Sequence, residues 1–155
     1  MMFRTCEGHL WAIRSEDDGK TWSTPAPTPL VHPDAPPMLF HLSDGKTLAA
    51  FHHNRCALND GDLGPDHPAM QDRSEIWVSL SSDNGFTWTE PRFVLANAAA
   101  PNLKNDWANW QCSYLDVFVD NGILNLFLPH RWQRCLHLQL TEAELHRLPT
   151  ATELA

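Results

Sequence analysis

The chain has few basic residues: 11 Lys and Arg stand against 19 Asp and Glu in 155 residues, which gives a formal net charge of -8. Nucleic acids and anionic membranes are bound by clustered Lys and Arg, so this balance argues against both as partners, while an acidic ligand still fits if a few Arg converge. No apolar run approaches the length of a membrane span. A charge at Arg4 precedes any apolar stretch that would act as an export signal, so we expect a soluble protein, cytoplasmic by default.

Cysteine is also scarce, and no Cys-x-x-Cys pair is present. The wide spacing argues against a disulfide scaffold, and we expect four free thiols: Cys6, Cys56, Cys112 and Cys135. His52 and His53 are adjacent, but neighbours on a strand point to opposite faces of a sheet. We therefore predict no metal ion, and nothing in the sequence indicates a cofactor.

Against a single tyrosine the chain has seven tryptophans, and four of them belong to a repeat. Residues 15–22 and 81–88 both read Ser-x-Asp-x-Gly-x-Thr-Trp, and their starts lie 66 residues apart (15 to 81). The match extends outward, because Trp11 aligns with Trp77 and Pro25 with Pro91. The shared unit is a strand, a turn and the start of another strand, and a period of this length is typical of stacked supersecondary units.

The octapeptide has a structural interpretation. Its Asp accepts hydrogen bonds from the backbone of a turn, its Gly permits a positive φ, Ser and Thr add side-chain bonds to the backbone, and Trp packs the hairpin onto its sheet. A calcium loop is the alternative, but each copy supplies too few carboxylates for the EF-hand pattern. The residues concerned are Ser15, Asp17, Gly19 and Trp22 in the first copy and Ser81, Asp83, Gly85 and Trp88 in the second.

Short alternating or apolar runs between turn residues predict an all-β fold. The predicted strands are residues 9–14, 22–25, 38–42, 47–52, 75–80, 89–95, 113–119, 124–128 and 136–140. Prolines at alternate positions of 25–29 do not fit a central strand, so this stretch is expected to be a connector or an edge. A capping box at Thr141 and Glu144 predicts one short helix over 142–148.

These elements form a single partial domain over 1–155. Residues 1–29 hold half a unit, 36–95 a complete four-stranded unit, and 112–148 three strands and the short helix. Two long loops, 54–72 and 96–111, separate them, and loops of this length are usually functional or poorly ordered.

The octapeptide resembles the Asp-box of the sialidase (BNR repeat) superfamily. Two further segments, Pro33-Asp-Ala-Pro-Pro37 and Trp132-Gln-Arg-Cys-Leu-His137, are similar to the BNR-repeat-like neuraminidase branch, and the resemblance spans residues 4–145. It implies a six-bladed β-propeller of four-stranded antiparallel sheets. This chain would supply about two and a half blades, from the C-terminal portion.

The resemblance also implies a retaining glycoside hydrolase that cleaves terminal sialic acids with a Tyr nucleophile and Arg residues that bind the substrate carboxylate. Tyr114 stands where the family has its nucleophile, with Leu115 in place of the usual Ser. Arg73 lies eight residues before the second octapeptide and Arg4 eleven before the first, as in the family, and Arg55 competes for the role of Arg73. A strand-capping Tyr and solvated loop charges are the structural alternatives.

The family's acid Asp, activating Glu and first Arg come from segments preceding Arg4, so we expect this chain alone to be inactive. Sialic acid or a related acidic glycan is the expected ligand. Exposed sheet faces and edges predict a homo-oligomer. The alternatives are a non-catalytic glycan-binding or scaffold propeller, because Asp-boxes indicate the fold rather than the activity, and an inactive truncated product.

Overall fold

The computed structural model describes residues 1–54, 73–96, 111–130 and 134–155. These ranges hold ten strands in three antiparallel sheets and two short helices, which confirms that the fold is mostly β. We refer to the sheets in chain order as the first, middle and last sheet. Neither helix in these ranges has the length and apolar character needed to cross a membrane.

The first sheet has the order β1-β2-β3, with β1 at Met2–Phe3, β2 at His9–Ala12 and β3 at Ala26–Val31. The sequence predicted two strands here and missed β1, which is two residues long. It ended the returning strand at the prolines, which is wrong, because β3 runs through Pro27 and Pro29. Of the two alternatives for this stretch, a connector or an edge, the edge is confirmed. The strand tolerates them since it lies at the edge, where an N–H facing away from the sheet is not needed.

The middle sheet has the order β4-β5-β6-β7, at Met38–His41, Leu48–His52, Glu75–Ser81 and Arg92–Ala96. Its two central strands are almost wholly buried because both faces of the sheet are covered. Ala50 packs with Leu10 and Leu30 of the first sheet. Ala49 and Phe51 point the other way, into a core shared with the last sheet. The three sheets therefore stack in chain order.

The last sheet has the order β10-β9-β8, with β8 at Asp116–Asp120, β9 at Ile123–His130 and β10 at Arg134–Thr141. Leucines of β9 face the shared core: Leu124, Leu126 and Leu128. On the opposite face, Phe127 stacks on Phe118 with ring centroids 5.7 Å apart and on His137 at 4.4 Å. One ring from each strand thus forms an aromatic row across the outer face of this sheet.

The helices differ from the prediction of one helix over 142–148. Helix α1 covers only Glu142–Leu145, with the predicted capping box of Thr141 and Glu144. The chain leaves the helix ahead of Pro149, which has no N–H to continue it. A second helix, α2 at Ala151–Leu154, follows with its own capping box, in which Thr150 accepts from the backbone of Glu153. The Thr-x-x-Glu spacing that signalled α1 therefore occurs twice.

The two octapeptides form the same set of hydrogen bonds. In the first, the backbone N–H and the hydroxyl of Thr21 donate to the Asp17 carboxylate at 2.8 and 2.7 Å, and the Gly19 N–H donates to Ser15 Oγ at 2.7 Å. The second copy repeats these contacts at 2.8, 2.6 and 2.7 Å. Trp88 packs against the core, whereas Trp22 is 46% exposed. The octapeptide therefore closes a hairpin whether or not its Trp is buried.

Candidate functional site

Two arginines from different sheets meet at Asp34. Arg4 follows β1 of the first sheet, and its Nε lies 3.2 Å from Asp34 Oδ1. Arg73 precedes β6 of the middle sheet, and its Nη2 donates to the backbone carbonyl of Asp34 at 2.5 Å. Asp34 itself lies between β3 and β4, in the connection between the two sheets. The structure thus brings Arg4 and Arg73 together around one residue.

The Asp34 segment is fixed by a buried histidine. The Ala35 N–H donates to the Pro33 carbonyl at 2.7 Å, which forms a tight turn with Asp34 at its centre. The backbone N–H of His53 donates to His32 Nδ1 at 3.1 Å, so Nε2 carries the ring proton and donates to the Ala35 carbonyl at 2.7 Å. His32 therefore joins this turn to the end of β5.

The histidines around this turn are held neutral. Burial, with smaller contributions from His53 and His52, lowers the pKa of His32 well below its ordinary value. Burial likewise lowers the pKa of His52 to about 3. In the described part of the chain no group of three or more His, Cys, Asp or Glu is arranged to hold a metal ion. These imidazoles act as uncharged hydrogen-bonding groups next to the turn at Asp34.

Arg73 is buried to an unusual degree for its type, with 7% of its surface exposed. Its Nη2 is satisfied by Asp34, but its Nε is buried without a hydrogen-bond partner in the described ranges. A buried unsatisfied donor costs about 1–3 kcal/mol, more when it carries charge. An anionic oxygen placed at this nitrogen would remove that cost, which makes Arg73 a candidate ligand-binding residue.

Tyr114 is tied to Arg73 through the backbone. The N–H of Cys112 donates to the Arg73 carbonyl at 2.8 Å, and the Cys112 thiol contacts the same oxygen at 3.3 Å. Tyr114 follows two residues later, with 48% of its surface exposed. Its φ of 64° is in the left-handed region, which is uncommon for a bulky side chain and costs on the order of 1–3 kcal/mol. This conformation places Tyr114 before β8, whereas the sequence predicted it at the start of the strand.

Tyr114 lines an open cleft of about 440 Å³ at the last sheet. Asp116, Phe127 and Arg134 also line it, so charged groups of both signs stand beside an aromatic ring. The cleft therefore offers hydrogen-bonding and stacking partners of the kind a sugar uses.

Three predicted residues are thus placed, and one is not. Arg4 and Arg73 converge directly, while Tyr114 is connected to them through the backbone of Cys112. Arg55 lies outside the described residues, as do most of the two long predicted loops. Among the described residues, Cys6, Cys112 and Cys135 form no disulfide bond, and Cys56 lies outside the described ranges.

Sequence reasoning did not single out Asp34 or Arg134. The signal for Asp34 is an acidic residue in a stretch dense in proline, Pro33-Asp-Ala-Pro-Pro37, where the backbone has little freedom. Arg134 lies in the segment Trp132-Gln-Arg-Cys-Leu-His137 that carries the family resemblance, but its position beside Tyr114 arises only when β10 pairs with β9.

Comparison with known proteins identifies the family. Residues 1–126 match the family described as BNR repeat-like domain, which is most of the chain. No curated protein matches it. The chain therefore belongs to the BNR repeat-like domain family, which fits the BNR and sialidase-type superfamily.

Proposed function

We propose that the protein containing this chain is a sialidase-like glycoside hydrolase of the neuraminidase branch, which cleaves terminal sialic acid with retention of configuration. BNR-like domains are found in sialidases and other glycoside hydrolases. One observation carries the proposal: Arg4 and Arg73 come from different sheets and converge on Asp34, and the buried Arg73 Nε has no hydrogen-bond partner in the described ranges.

The arginines suit the carboxylate of a sialic acid. Guanidinium groups pair with carboxylates through two parallel hydrogen bonds, and such charge-assisted bonds are roughly twice as strong as neutral ones. Arg73 supplies a desolvated charge, whereas the Arg4 side chain is 47% exposed and accessible. A ligand carboxylate at this point would meet one fixed and one solvent-facing guanidinium.

Tyr114 is assigned as the nucleophile. The anomeric carbon of a sialoside bears the carboxylate, so a neutral phenol avoids the repulsion that an Asp or Glu nucleophile would meet. In the first step the Tyr114 oxygen bonds to the anomeric carbon as the glycosidic C–O bond breaks, and an acid protonates the departing oxygen. Water then releases the sugar. No residue of the described chain is assigned as that acid or as the base that activates Tyr114.

The stacking of the sheets supports a propeller in which they are successive blades. The middle sheet is covered on one face by the first sheet and on the other by the last, as expected for a blade between two neighbours. We retain blades at 1–29, 36–95 and 112–148 within a six-bladed ring as part of the proposal.

A non-catalytic glycan-binding propeller is the second candidate, and the cleft favours it. Tyr114 offers an exposed ring, and Asp116 and Arg134 offer hydrogen bonds, without any need for a reaction. The two candidates differ in what Tyr114 contributes, because binding uses its ring and hydrolysis uses its hydroxyl.

Hydrolysis of a fluorogenic sialoside by the full-length protein distinguishes them. We expect Tyr114→Phe to abolish turnover but retain binding of N-acetylneuraminic acid, and Arg73→Lys to weaken that binding. Arg147→Lys, at an exposed position after α1, is the matched control and should leave both unchanged. Equal rates for the wild type and Tyr114→Phe would remove Tyr114 from the mechanism, and binding without hydrolysis in the wild type would favour the second candidate.

A further inference from the structure

We infer that Asp34 is a positioning residue that holds Arg4 and Arg73 as one pre-organised pair for an acidic ligand, an inference that rests on the proposed function. Each arginine contacts a different acceptor of Asp34: Arg4 the carboxylate, Arg73 the backbone carbonyl. The two guanidinium groups belong to different sheets, and Asp34 contacts both of them. The relative position of the two guanidinium groups therefore depends on this one residue.

The turn that holds Asp34, formed by Pro33, Asp34 and Ala35, is rigid enough for this role. Pro33 and Ala35 are fully buried, and the bond from Ala35 to Pro33 closes the turn. His32 fixes that turn through Ala35 and is itself fixed by the N–H of His53. Proline at 33, 36 and 37 reduces the freedom of the segment before any contact forms. A displacement of Asp34 would have to break bonds that lie in the core.

The contacts with Asp34 engage only part of each guanidinium group, so both arginines keep further N–H donors for a ligand. The ion pair engages Nε of Arg4, and the carbonyl engages Nη2 of Arg73, whose Nε remains without a partner in the described ranges. An unrestrained long side chain loses about 1.5–2 kcal/mol of rotamer entropy when it is ordered. Asp34 imposes part of that cost during folding, so less of it opposes binding.

The charge balance points to the class of ligand. Among the described residues, two guanidinium groups and one carboxylate at this point leave a single net positive charge, and burial keeps His32 and His52 neutral. A singly charged carboxylate matches this balance better than a doubly charged phosphate. This charge balance therefore fits a carboxylic acid, as the proposed function requires.

Asp34→Asn tests the inference because it removes the charge while keeping the carbonyl that binds Arg73. Asp18→Asn is the matched control, since the equivalent position of the second octapeptide is Asn84 and both residues have φ 57°. In the ligand-free protein, ¹⁵N relaxation of the arginine Nε–H groups should show Arg4 becoming mobile in Asp34→Asn while Arg73 stays ordered. A general loss of structure would affect both arginines.

A titration with N-acetylneuraminic acid followed by the same signals gives the second readout. We expect Asp34→Asn to weaken binding about three- to tenfold, Asp34→Glu to recover part of the loss, and Asp18→Asn to match the wild type. Unchanged order of Arg4 in Asp34→Asn, or an affinity equal to or above the wild type, would overturn the inference. A wild type that binds no acid, while Arg4 loses order only in Asp34→Asn, would overturn the proposed function but leave the positioning of Arg4 by Asp34 established.

Discussion

The guanidinium carbon of Arg14 lies 3.9 Å from the centre of the Phe86 ring. The same guanidinium donates to the carbonyls of Asn84 at 3.1 Å and Gly85 at 2.5 Å. Arg14 directly precedes the first octapeptide, and its partners form the turn of the second. The two hairpins are thus joined to each other by one side chain.

We expect Arg14→Ala to lower the free energy of unfolding by about 1–2 kcal/mol, because it removes two charge-assisted bonds and a cation–π contact at a partly exposed position. Urea unfolding measures the change. Lys20→Ala, in the turn of the first octapeptide, removes an exposed charge and should change stability by less than about 0.5 kcal/mol. Equal effects of the two substitutions would contradict a specific role for Arg14.

The octapeptide carboxylates should make stability depend on acid pH. Hydrogen bonds from the Thr87 hydroxyl and N–H and from Ser81 lower the pKa of Asp83 from 3.8 to about 2, and bonds from Thr21 do the same for Asp17. A carboxylate with a lowered folded-state pKa stabilises the fold above the unfolded pKa, and that stabilisation is lost as pH falls towards 2.

Thermal unfolding between pH 2 and 7 should therefore show stability falling below about pH 4. The double variant Asp17→Asn/Asp83→Asn should be less stable at pH 7 and should lose less on acidification. Some dependence will persist, because the pKa of Asp44 is also lowered to about 2 by Thr47. A double variant with the acid dependence of the wild type would refute this account, and Asp18→Asn supplies the control.

Gly85→Ala should destabilise the protein more than Gly45→Ala. Both glycines have a positive φ, of 79° and 65°, so both substitutions strain the backbone by about 1 kcal/mol. A Cβ at Gly85 would also lie 3.0 Å from the Trp88 ring, whereas at Gly45 nothing lies within 4 Å. We expect the difference to be about 1–2 kcal/mol by urea unfolding, and equal losses would show that Trp88 moves aside freely.

Leu145→Ala should lower the free energy of unfolding by about 2–4 kcal/mol. Leu145 is fully buried in the core shared by the middle and last sheets, although it belongs to a helix of four residues. Leu154→Ala makes the same change in α2 at a side chain that is 54% exposed, and should cost under about 0.5 kcal/mol. A small effect at Leu145 would mean that α1 is not required to close the core.

We expect the isolated chain to associate with a second copy. Phe118 is 51% exposed on the aromatic row of the last sheet, and burying such a surface favours association. Phe118→Ser should raise the monomer fraction in size-exclusion chromatography with light scattering, whereas Leu154→Ser should not. A wild-type chain that elutes as a clean monomer would reject this expectation.

The predictable parts of the fold are those with local causes. The hairpins at Asp44 and Asp83, the strands of the middle sheet and the capping box at Thr141 depend on neighbouring residues, and these lie close to their expected positions. The strand preceding β9 begins later than predicted because the left-handed φ of Tyr114 delays it. Nothing local in the sequence predicts that conformation, because a bulky residue such as Tyr rarely adopts it.

The sequence predicted individual residues of the candidate site but not the contacts between them. The resemblance to the family placed Arg4 and Arg73 at equivalent positions, each upstream of an octapeptide, but did not indicate that a third residue would link them. Asp34 becomes visible as their partner only after the first and middle sheets stack. Contacts between sheets depend on register and burial, which a single sequence does not contain.

The prolines of β3 bear on how copies of this chain can assemble. A strand edge that presents free N–H groups can add strands from other molecules without limit, which is the route to fibrils. Pro27 and Pro29 remove those donors from this edge of the first sheet at alternate positions. Growth by strand addition is therefore blocked at β3, and a copy that binds at this edge has to use contacts other than a new strand, which can stop at a finite number of copies.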